Sequence, residues 1–549
     1  MRVTQSENGI TVKAYAGSTG VLLGFNVTEK RRKGLLGFAV ERKSGDKKGF
    51  LQSALHFPGV EAPAGSLLST AQSPVQKFRW SDYRVMPGQK LEYTVHPIYG
   101  EPKMLDIQDG PTVQIQTAGT DLKGDSVLFN RAAAASQAFS RRFPEVEEAL
   151  KKAKDKKTVE LPPEAKDWLT RGVRGQITGF IGKATGAGFA LDIAIYEYEL
   201  ADIVEAVNKA HDAGVQVRVV YHAKKNDEQT TLNEENLAHL PDDVKRARVT
   251  SKICHHKFIV LSKVTGGKKK PVAVLCGSTN FTENGVYRQA NVVHVLNNAA
   301  AASEYAELFE FLFEGNDPAA TRKHNTDNNP MPTADGPMFI GFSPRSGETD
   351  LDYFVSQIGR AKNDLLFATA FQLPDNITTA LLGAEHDPVL RFGVKNSASD
   401  ITGVHADRTA LFTAAALLPS GLEGWQKSWL KESKAGQLGN ILIHTKIVVV
   451  NFTSDNPIVI SGSHNLSVPA SNGNDENYLV FHGNTDVADC YGVEVMRIYD
   501  HYRFRFATKQ KGKSAKPPML TPDDSWTNRY FVKDSLPFRD RMRFSGGKG

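Results

Sequence analysis

The sequence predicts an α/β protein in which a duplicated region of helices and strands follows an N-terminal β-sandwich. Three observations support this prediction. The first 120 residues hold short apolar runs separated by turn residues, the next section alternates strands with amphipathic helices, and the alternation starts again after Pro337. Alternating strands and helices are typical of a parallel or mixed sheet that is covered by helices.

The N-terminal section consists of short apolar runs with period-2 alternation. Gly, Pro and charged residues separate these runs, which are GVLLGFNV, GLLGFAVER, LEYTVHPIY and TVQIQT. Short alternating strands with turn signals between them favour a β-sandwich of the immunoglobulin or fibronectin kind. The section has no cluster of catalytic residue types, so we expect an accessory or docking domain.

The section of helices and strands occurs twice. In the first copy the strand FALDIAIYEY is followed by the helix ELADIVEAVNKAHDAG and the strand VQVRVVYHA. In the second copy YFVSQIGRAKNDLLFATAF supplies a helix and a strand, and VLRFGVK supplies the next strand. The same order of elements in both copies indicates a duplication.

A linker and a tail complete the predicted organisation. The stretch GNDPAATRKHNTDNNPMPTADGP between the copies is rich in Pro, Asn, Asp and Gly, as expected of a linker. The lysine-rich KQKGKSAKPP starts a C-terminal tail whose aromatic end is expected to pack on the body of the protein. The predicted domains are the sandwich at 1–122, the first repeat at 123–325, the second repeat at 336–507 and the basic and aromatic tail at 508–549.

Composition restricts the class of protein and its surroundings. A chain of 549 residues is too long for one hydrophobic core. The N-terminus lacks a basic start followed by an apolar core, and no run of about 18 apolar residues occurs, so we expect neither a signal peptide nor a membrane span. Three cysteines favour a reducing compartment, and we expect a cytoplasmic protein. The net charge of +6 permits a polyanionic partner without requiring one.

The stretch ICHHKFIVLSK places two histidines and a lysine at the head of an apolar strand. Residues two apart on a strand share a face, so His255 and Lys257 point to one side and His256 points to the other. The chain then turns through TGGKKK and returns along PVAVLCGSTNF, which ends at Ser278 and Asn280. The hairpin is expected to bring this end beside His255.

The second copy contains the same pattern in the same order. There ILIHTKIVVVNF is followed by PIVISGSHNLS, which supplies His444, Lys446, Ser463 and Asn465. Each copy therefore has the form H-x-K, apolar strand, turn, apolar strand, G-S-x-N. A single H-x-K arises often by chance, but two matches at corresponding points of two repeats indicate a paired site.

This doubled pattern resembles the phospholipase D superfamily, in which two H-x-K motifs meet across a pseudo-twofold axis and form one active site. The resemblance covers residues from about 125 to 505, and it implies two phospholipase D-like α-β-α sandwich domains. Family members carry a further polar residue eleven positions after the G-S-x-N asparagine. That residue is Asn291 in the first copy and Glu476 in the second.

The chain departs from the family at one motif position. The usual motif has an Asp seven residues after the His, where this chain has Ser262 and Asn451. That Asp is a supporting residue in the family, so its loss does not by itself argue for an inactive protein. The tyrosyl-DNA phosphodiesterases of the superfamily also lack it and have an amide residue in place of the first Glu, and this chain is similar to them in those two features.

The resemblance implies a metal-independent phosphodiesterase that works through a phosphohistidine intermediate, with no cofactor. We assign His255 as the nucleophile and His444 as general acid and then base, and the reverse assignment stays open. Phosphate oxygens would be bound by two ammonium groups and two amides, those of Lys257, Lys446, Asn280 and Asn465.

The remaining site residues are expected to orient these groups. Glu476 would accept a hydrogen bond from Nδ1 of a motif histidine, and Asn291 would do the same without a charge. Ser278 and Ser463 are supporting residues that would hydrogen-bond within the site.

The substrate class stays open at this point. The basic balance, the turn at Lys268–Lys270 and the lysine-rich tail favour nucleic acid, so a nuclease is preferred. The segment 415–432, with Trp425 and Trp429 one helical turn apart, favours the alternative of a phospholipase in peripheral contact with a membrane. A noncatalytic binding protein is the third alternative, although retention of both His-Lys pairs argues against it. One chain carries both motif sets, so a monomer suffices for catalysis.

Overall fold

The computed structural model describes residues 1–61, 66–120, 124–132, 137–152, 159–249, 252–384, 387–396, 410–414, 443–511 and 518–547. No helix within these ranges has both the length and the apolar character needed to cross a membrane. The predicted helix with Trp425 and Trp429, and residues 512–517 of the lysine-rich tail, lie outside the described residues.

The N-terminal region consists of two antiparallel sheets packed face to face, which confirms the predicted sandwich. The first sheet has the strand order Arg2–Glu7, Ile10–Ala16, Val21–Val27, Arg79–Asp82. The second has the order Met104–Ile107, Lys90–Glu101, Gly37–Ser44, Lys47–Phe50, with Thr112–Gln116 also paired to Lys90–Glu101. Inward-facing residues of both sheets share one core that includes Val12, Phe25, Phe38 and Tyr93. A short helix at Glu29–Arg32 and a small hairpin of Gln52–Ser53 and Leu68–Ser69 complete this region.

Two seven-stranded sheets of identical topology follow, which confirms the predicted duplication. The first has the order Ser126–Phe129, Val292–Leu296, Lys268–Gly277, Lys257–Thr265, Phe189–Ile195, Gln216–Ala223, Lys245–Val249. The second has the order Met338–Ser343, Glu476–His482, Ile458–Gly462, Lys446–Val450, Asp364–Thr369, Leu390–Lys395, Ala410–Ala414. In both sheets the last three strands are parallel to one another and all other neighbours are antiparallel.

Helices cover both faces of each sheet, as the predicted α-β-α sandwiches require. The described helices of the first repeat are Gln137–Arg142, Pro144–Lys152, Pro163–Thr170, Val173–Ile181, Ala201–Asp212 and Glu228–Asn236, and the described helices of the second are Thr349–Ile358, Asp375–Leu382 and Val468–Asn472. Two further helices, Ala299–Phe313 and Thr485–Lys511, contribute Tyr305 and Tyr491 to one core shared by strands of both sheets. Helix Pro318–Asn328 connects the repeats.

The C-terminal segment returns to the N-terminal sandwich. The Trp526 ring stacks on Phe78 with centroids 5.3 Å apart, and its N–H donates to the Leu35 carbonyl at 2.8 Å. Helix Leu536–Ser545 ends against Gly24, where a Cβ atom would lie 2.2 Å from the Phe544 carbonyl oxygen. The aromatic end of the tail thus packs on the body of the protein, while the domain boundaries themselves stay predictions.

Candidate active site

The two motif histidines lie beside each other where the repeats meet. The ring centroids of His255 and His444 are 6.5 Å apart with an interplanar angle of 70°, and each residue is 5% exposed. Two short parallel bridges join the repeats at this point, one between Cys254 and Asp475 and one between Ala290 and Ile443. Each bridge comes immediately before a motif residue in both strands, so the bridges place the four side chains that follow them in one cluster.

Each motif histidine is hydrogen-bonded to the opposite repeat. Nδ1 of His255 donates to Glu476 Oε2 at 2.7 Å, and Nδ1 of His444 donates to Asn291 Oδ1 at 2.9 Å. The Asn291 amide nitrogen donates to the Gly285 carbonyl, which turns its oxygen toward the imidazole. With Nδ1 as the donor, Nε2 of each neutral ring keeps the free lone pair.

The glycine of each G-S-x-N motif is required by the backbone. Gly277 and Gly462 have φ angles of 146° and 154°, in the region that favours glycine. A Cβ atom at Gly277 would lie 2.2 Å from the Val292 carbonyl oxygen, and one at Gly462 would lie 2.4 Å from that of Asn477. Because of these close approaches, each motif packs against the segment that carries the polar residue eleven positions after its asparagine, Asn291 or Glu476.

The serines of the two motifs hold the histidine partners in place. Ser278 Oγ donates to Asn291 Oδ1 at 2.8 Å, and Ser463 Oγ donates to Glu476 Oε2 at 2.7 Å. Asn474 adds a third donor to Glu476, on Oε1 at 3.1 Å. The predicted supporting residues therefore contact the residues that orient the imidazoles.

The two lysines are buried in equivalent positions. Lys257 Nζ donates to the His255 carbonyl at 2.8 Å, and Lys446 Nζ donates to the His444 carbonyl at 2.6 Å. Each ammonium group also lies near an aromatic ring. Lys257 Nζ is 5.2 Å from the centroid of Tyr196, and Lys446 Nζ is 5.7 Å from that of Phe371, both within cation–π range.

Burial dominates the electrostatics of the lysines. It lowers the pKa of Lys257 to about 8 against the opposing effect of Glu476 and Glu197, and it lowers the pKa of Lys446 well below its ordinary value, with the Lys257 charge adding to the effect. The charged state of these lysines therefore depends on nearby carboxylates.

The same burial keeps the motif histidines neutral. The pKa of His255 is held well below its usual range by burial and then by the charges of Lys257 and Lys446. Burial and the same two lysines act in that direction on the pKa of His444. Both imidazoles are therefore neutral near pH 7, the form that a nucleophile or a general base needs.

The two motif asparagines differ in their surroundings. Asn280 donates from Nδ2 to Glu197 Oε2, and its own Oδ1 is buried without a partner among the described residues. Asn465 Oδ1 is likewise buried and has no partner in the described part of the chain. Glu197 was not predicted from the sequence. The signal that marks it is a charged residue placed two positions after the end of the apolar strand Phe189–Ile195.

A second contact absent from the sequence prediction fixes the junction of the repeats. The Arg248 guanidinium donates to both carboxylate oxygens of Asp475 at 2.9 Å, and both residues are buried. The Asp475 main chain accepts from His255 N–H and donates to the Ile253 carbonyl, each at 2.9 Å. The ion pair thus anchors the residue that positions both His255 and its neighbour Glu476.

Lys268–Lys270, predicted to form a turn, instead begin the strand Lys268–Gly277 after a turn at Gly266 and Gly267, and they lie away from this cluster. Lys257 is the first and Thr265 the last residue of one nine-residue strand, which spans roughly 25 Å at about 3.3 Å per residue. Lys269 Nζ is paired with Asp192 at 2.9 Å. Among the residues described, no group of three or more His, Cys, Asp or Glu side chains has an arrangement that could hold a metal ion.

The paired seven-stranded sheets have a phospholipase D-like fold, and the doubled His-Lys cluster lies where they meet. Residues 180–313, which include the first H-x-K and G-S-x-N motifs, match the family model described as cardiolipin synthase, PLD-like domain. The match covers about a quarter of the chain, and it identifies a phospholipase D-like domain within the first repeat.

Similarity to individual proteins is low. No curated protein sequence matches the chain. Phosphatidylserine synthase from Haemophilus influenzae is 11% identical over 63% of this chain and 88% of that chain, with a TM-score of 0.42. Polyphosphate kinase from Porphyromonas gingivalis is 12% identical over 64% of this chain, with a TM-score of 0.38, and the match spans 52% of the kinase. Yeast tyrosyl-DNA phosphodiesterase is 10% identical over 56% of this chain and 86% of that chain, with a TM-score of 0.31.

Proposed function

We propose that the protein is a metal-independent phosphodiesterase that hydrolyses its substrate through a phosphohistidine intermediate. The observation that carries the proposal is the pair of imidazoles 6.5 Å apart, each with Nδ1 committed to a partner on the other repeat. Two lysines and two asparagines of the same motifs surround them. This set supplies a nucleophile, a proton carrier and positive charge for one phosphate group.

In the first step Nε2 of His255 attacks phosphorus. The bond from phosphorus to the leaving alcohol oxygen breaks, and that oxygen takes a proton from Nε2 of His444. Because His444 is neutral in the free protein, it gains this proton once the phosphate charge offsets the charges of Lys257 and Lys446. The His255 ring, now bonded to phosphorus, carries a positive charge that the Glu476 carboxylate stabilises.

In the second step water releases the product. His444 has returned to its neutral form, so its Nε2 accepts a proton from water while the water oxygen attacks phosphorus. The bond between phosphorus and His255 Nε2 breaks, and the products are a phosphomonoester and an alcohol.

The phosphate oxygens are bound by the groups that surround the histidines. Lys257 and Lys446 supply two ammonium groups, and the amides of Asn280 and Asn465 supply neutral donors. Charge that develops on the equatorial oxygens in the transition state is stabilised by these fixed donors in a site from which water is largely excluded.

The different partners of the two histidines support the assignment of roles. Glu476 gives His255 a negatively charged acceptor, which favours the positive charge of a phosphohistidine. Asn291 gives His444 a neutral acceptor, so His444 releases a proton more readily. His255 is accordingly the nucleophile and His444 the acid and then the base.

Nucleic acid is the substrate class that we propose first. Phe371 is 38% exposed and its ring centroid is 6.2 Å from that of His444, so it offers a face on which a base could stack. The net charge of +6 suits a polyanion. Lys268–Lys270 add no support, since they lie at the end of the hairpin away from the histidines.

A phospholipid is the second candidate substrate. The family model that matches residues 180–313 carries the name of cardiolipin synthase, an enzyme of lipid metabolism by that name. The third candidate, a noncatalytic binding protein, is disfavoured because four polar side chains buried without use would cost stability.

One assay separates the three candidates. The purified protein is incubated in EDTA with labelled single-stranded DNA, double-stranded DNA, RNA, phosphatidylcholine and bis(4-nitrophenyl) phosphate. Cleavage of a nucleic acid by the wild type, with none by a His255→Asn preparation purified identically, supports the nuclease. Cleavage of phosphatidylcholine alone supports the phospholipase. Cleavage of no substrate by a folded protein supports the noncatalytic binding protein.

A further inference from the structure

Glu197 breaks the pseudo-symmetry of the site. Ile195 pairs with Lys257 across the first sheet, and Thr369 pairs with Lys446 across the second. Two residues beyond these positions stand Glu197 in the first repeat and Phe371 in the second. At this position a carboxylate is therefore present in the first repeat only.

The segment that carries Glu197 is held in a defined position. The Glu197 carbonyl accepts from Phe281 N–H at 3.0 Å, and its carboxylate accepts from the Asn280 amide. Asn233, which is fully buried, accepts from Tyr198 N–H at 2.9 Å and donates to the Tyr196 carbonyl at 2.9 Å. Contacts on both neighbours and on the residue itself therefore fix the position of this carboxylate.

The charges of the cluster balance only if Glu197 is counted. Two buried ammonium groups face two carboxylates, those of Glu476 and Glu197. Glu476 already accepts from His255, Ser463 and Asn474. Among the described residues, Glu197 accepts a side-chain hydrogen bond from Asn280 alone, so more of its charge is available to the lysines. A buried ammonium group without a carboxylate nearby would lose its proton instead.

The surroundings of these charges are otherwise neutral or cationic. The groups that act on the two lysines are Glu476, Glu197 and the thiol of Cys254, together with the mutual repulsion of the lysines. Burial raises the pKa of Glu197, the Lys257 and Lys446 charges oppose this, and Glu199 on the same segment adds to it. Protonation of the lysines and ionisation of Glu197 therefore support each other.

We propose that Glu197 is a positioning residue of this site, whose carboxylate is the counter-ion that keeps Lys257 and Lys446 charged for phosphate binding. The inference rests on the proposed function. Glu197 need not touch the reacting atoms, because it acts through the lysines and through the Asn280 amide that it aims. With Glu197 counted, each repeat supplies one lysine and one carboxylate, because the second repeat supplies Lys446 and Glu476.

The experiment is a pH profile with three variants. Glu197→Gln keeps an oxygen acceptor for Asn280 and removes only the charge, Glu197→Asp keeps the charge, and Glu199→Gln is the control on the same segment. kcat/KM is measured with bis(4-nitrophenyl) phosphate from pH 5.5 to 9, over which this substrate keeps one negative charge. Loss of a neighbouring opposite charge shifts the pKa of a buried group by about one to three units.

The expected result has a definite sign. Removal of the carboxylate lowers the pKa of the lysines, so the alkaline loss of kcat/KM moves to lower pH by at least about one unit in Glu197→Gln. That shift makes Glu197→Gln at least about fivefold slower than wild type at pH 8, while the two are within about threefold at pH 6. Glu197→Asp and Glu199→Gln keep the alkaline limb within about half a unit of the wild type. An unmoved limb in Glu197→Gln, or faster turnover at pH 8, would overturn the inference.

A binding measurement separates this inference from the proposed function. Dimethyl phosphate is a phosphodiester too unreactive to be hydrolysed during calorimetry, and its affinity is measured at pH 6 and at pH 8.5. Weaker binding to Glu197→Gln than to wild type at pH 8.5 only supports the counter-ion role. If the wild type also cleaves no phosphodiester, the counter-ion role stands and the catalytic proposal is wrong. If both proteins bind equally at both pH values and the wild type cleaves a phosphodiester, the counter-ion role is wrong and the catalytic proposal stands.

Discussion

The imidazole of His255 donates from Nδ1 to Glu476, which lies 2.7 Å away on the other repeat. The other histidine is oriented in the same way, because His444 of the second repeat is hydrogen-bonded to Asn291 of the first. Neither repeat therefore contains a histidine together with the residue that orients it. A site of this kind requires both copies in one chain or in one dimer, and this chain supplies both.

Replacing either motif histidine should lower turnover strongly without unfolding the protein. We expect His255→Ala and His444→Ala each to lower kcat by roughly 10² to 10⁴, the contribution of a positioned nucleophile, acid or base. The matched control is His256→Gln, because His256 is the adjacent buried histidine and contacts Phe258 rather than the paired imidazoles. Rates are compared after circular dichroism shows equal folded fractions. A wild-type rate in either Ala variant would remove that histidine from the mechanism.

The division of labour between the histidines can be tested with an activated leaving group. 4-Nitrophenol leaves without protonation, so His444→Asn should still be attacked at phosphorus by His255 and should then stall because no base activates water. We expect a burst of about one 4-nitrophenol per protein molecule, with a phosphoenzyme that is labile in acid and stable in base. A burst in His255→Asn and none in His444→Asn would reverse the two roles.

The unequal partners of the histidines predict a shift in pH dependence. Asn291→Asp places a carboxylate against His444 Nδ1, which raises the pKa of this imidazole from its lowered value by about one to three units. The general base is needed in its neutral form, and this form is now lost at a higher pH. The acid limb of kcat should therefore move upward, as measured by steady-state rates from pH 4.5 to 8. Ser463→Ala, which removes a donor from Glu476 instead, should leave that limb within about half a unit.

The sequence could predict those parts of the site that follow a local register. H-x-K, G-S-x-N and the residue eleven positions on occur in both copies, and β-hairpin geometry brings them together. Glu197 lies 60 residues before Lys257 with no fixed spacing to it, and only the pairing of strand Phe189–Ile195 with strand Lys257–Thr265 brings it into the cluster. Its position could not be inferred without that long-range pairing.

The same limit applies to contacts between distant segments. The sequence indicated that the aromatic end of the tail packs on the body, but not that Trp526 completes the core of the N-terminal sandwich. Trp526 and Phe38 are almost 500 residues apart. Hydrophobic patterning indicates that a side chain is buried, but it does not indicate which residues that side chain packs against. The Arg248–Asp475 pair was missed for the same reason, since a lone Arg and a lone Asp carry no periodic signal.

Buried histidines predict a loss of stability in mild acid. Burial lowers the pKa of His294 to about 3 and that of His464 to about 4, whereas both take up protons near 6.5 when unfolded. The unfolded state therefore binds more protons below pH 6.5, and the free energy of unfolding falls as pH is lowered from 6.5 toward 4. Each such histidine costs about 2 kcal/mol by pH 5. Urea unfolding at pH 7 and pH 5 should show this drop, reduced by about 2 kcal/mol in His294→Gln, and an unchanged drop in that variant would contradict the assignment.

The ion pair between Arg248 and Asp475 should contribute to the docking of the two repeats. Arg248→Met leaves the Asp475 carboxylate buried without its partner, which costs about 3–5 kcal/mol in the free energy of unfolding. Arg248→Met/Asp475→Asn removes the orphaned charge and should recover most of that loss in urea unfolding. The exposed pair Lys323–Asp327 is the control, where Lys323→Met should cost less than about 1 kcal/mol. Equal losses in Arg248→Met and in the double variant would mean that the guanidinium acts through its bonds to Thr321 and Asn316 instead, because those bonds are lost in both.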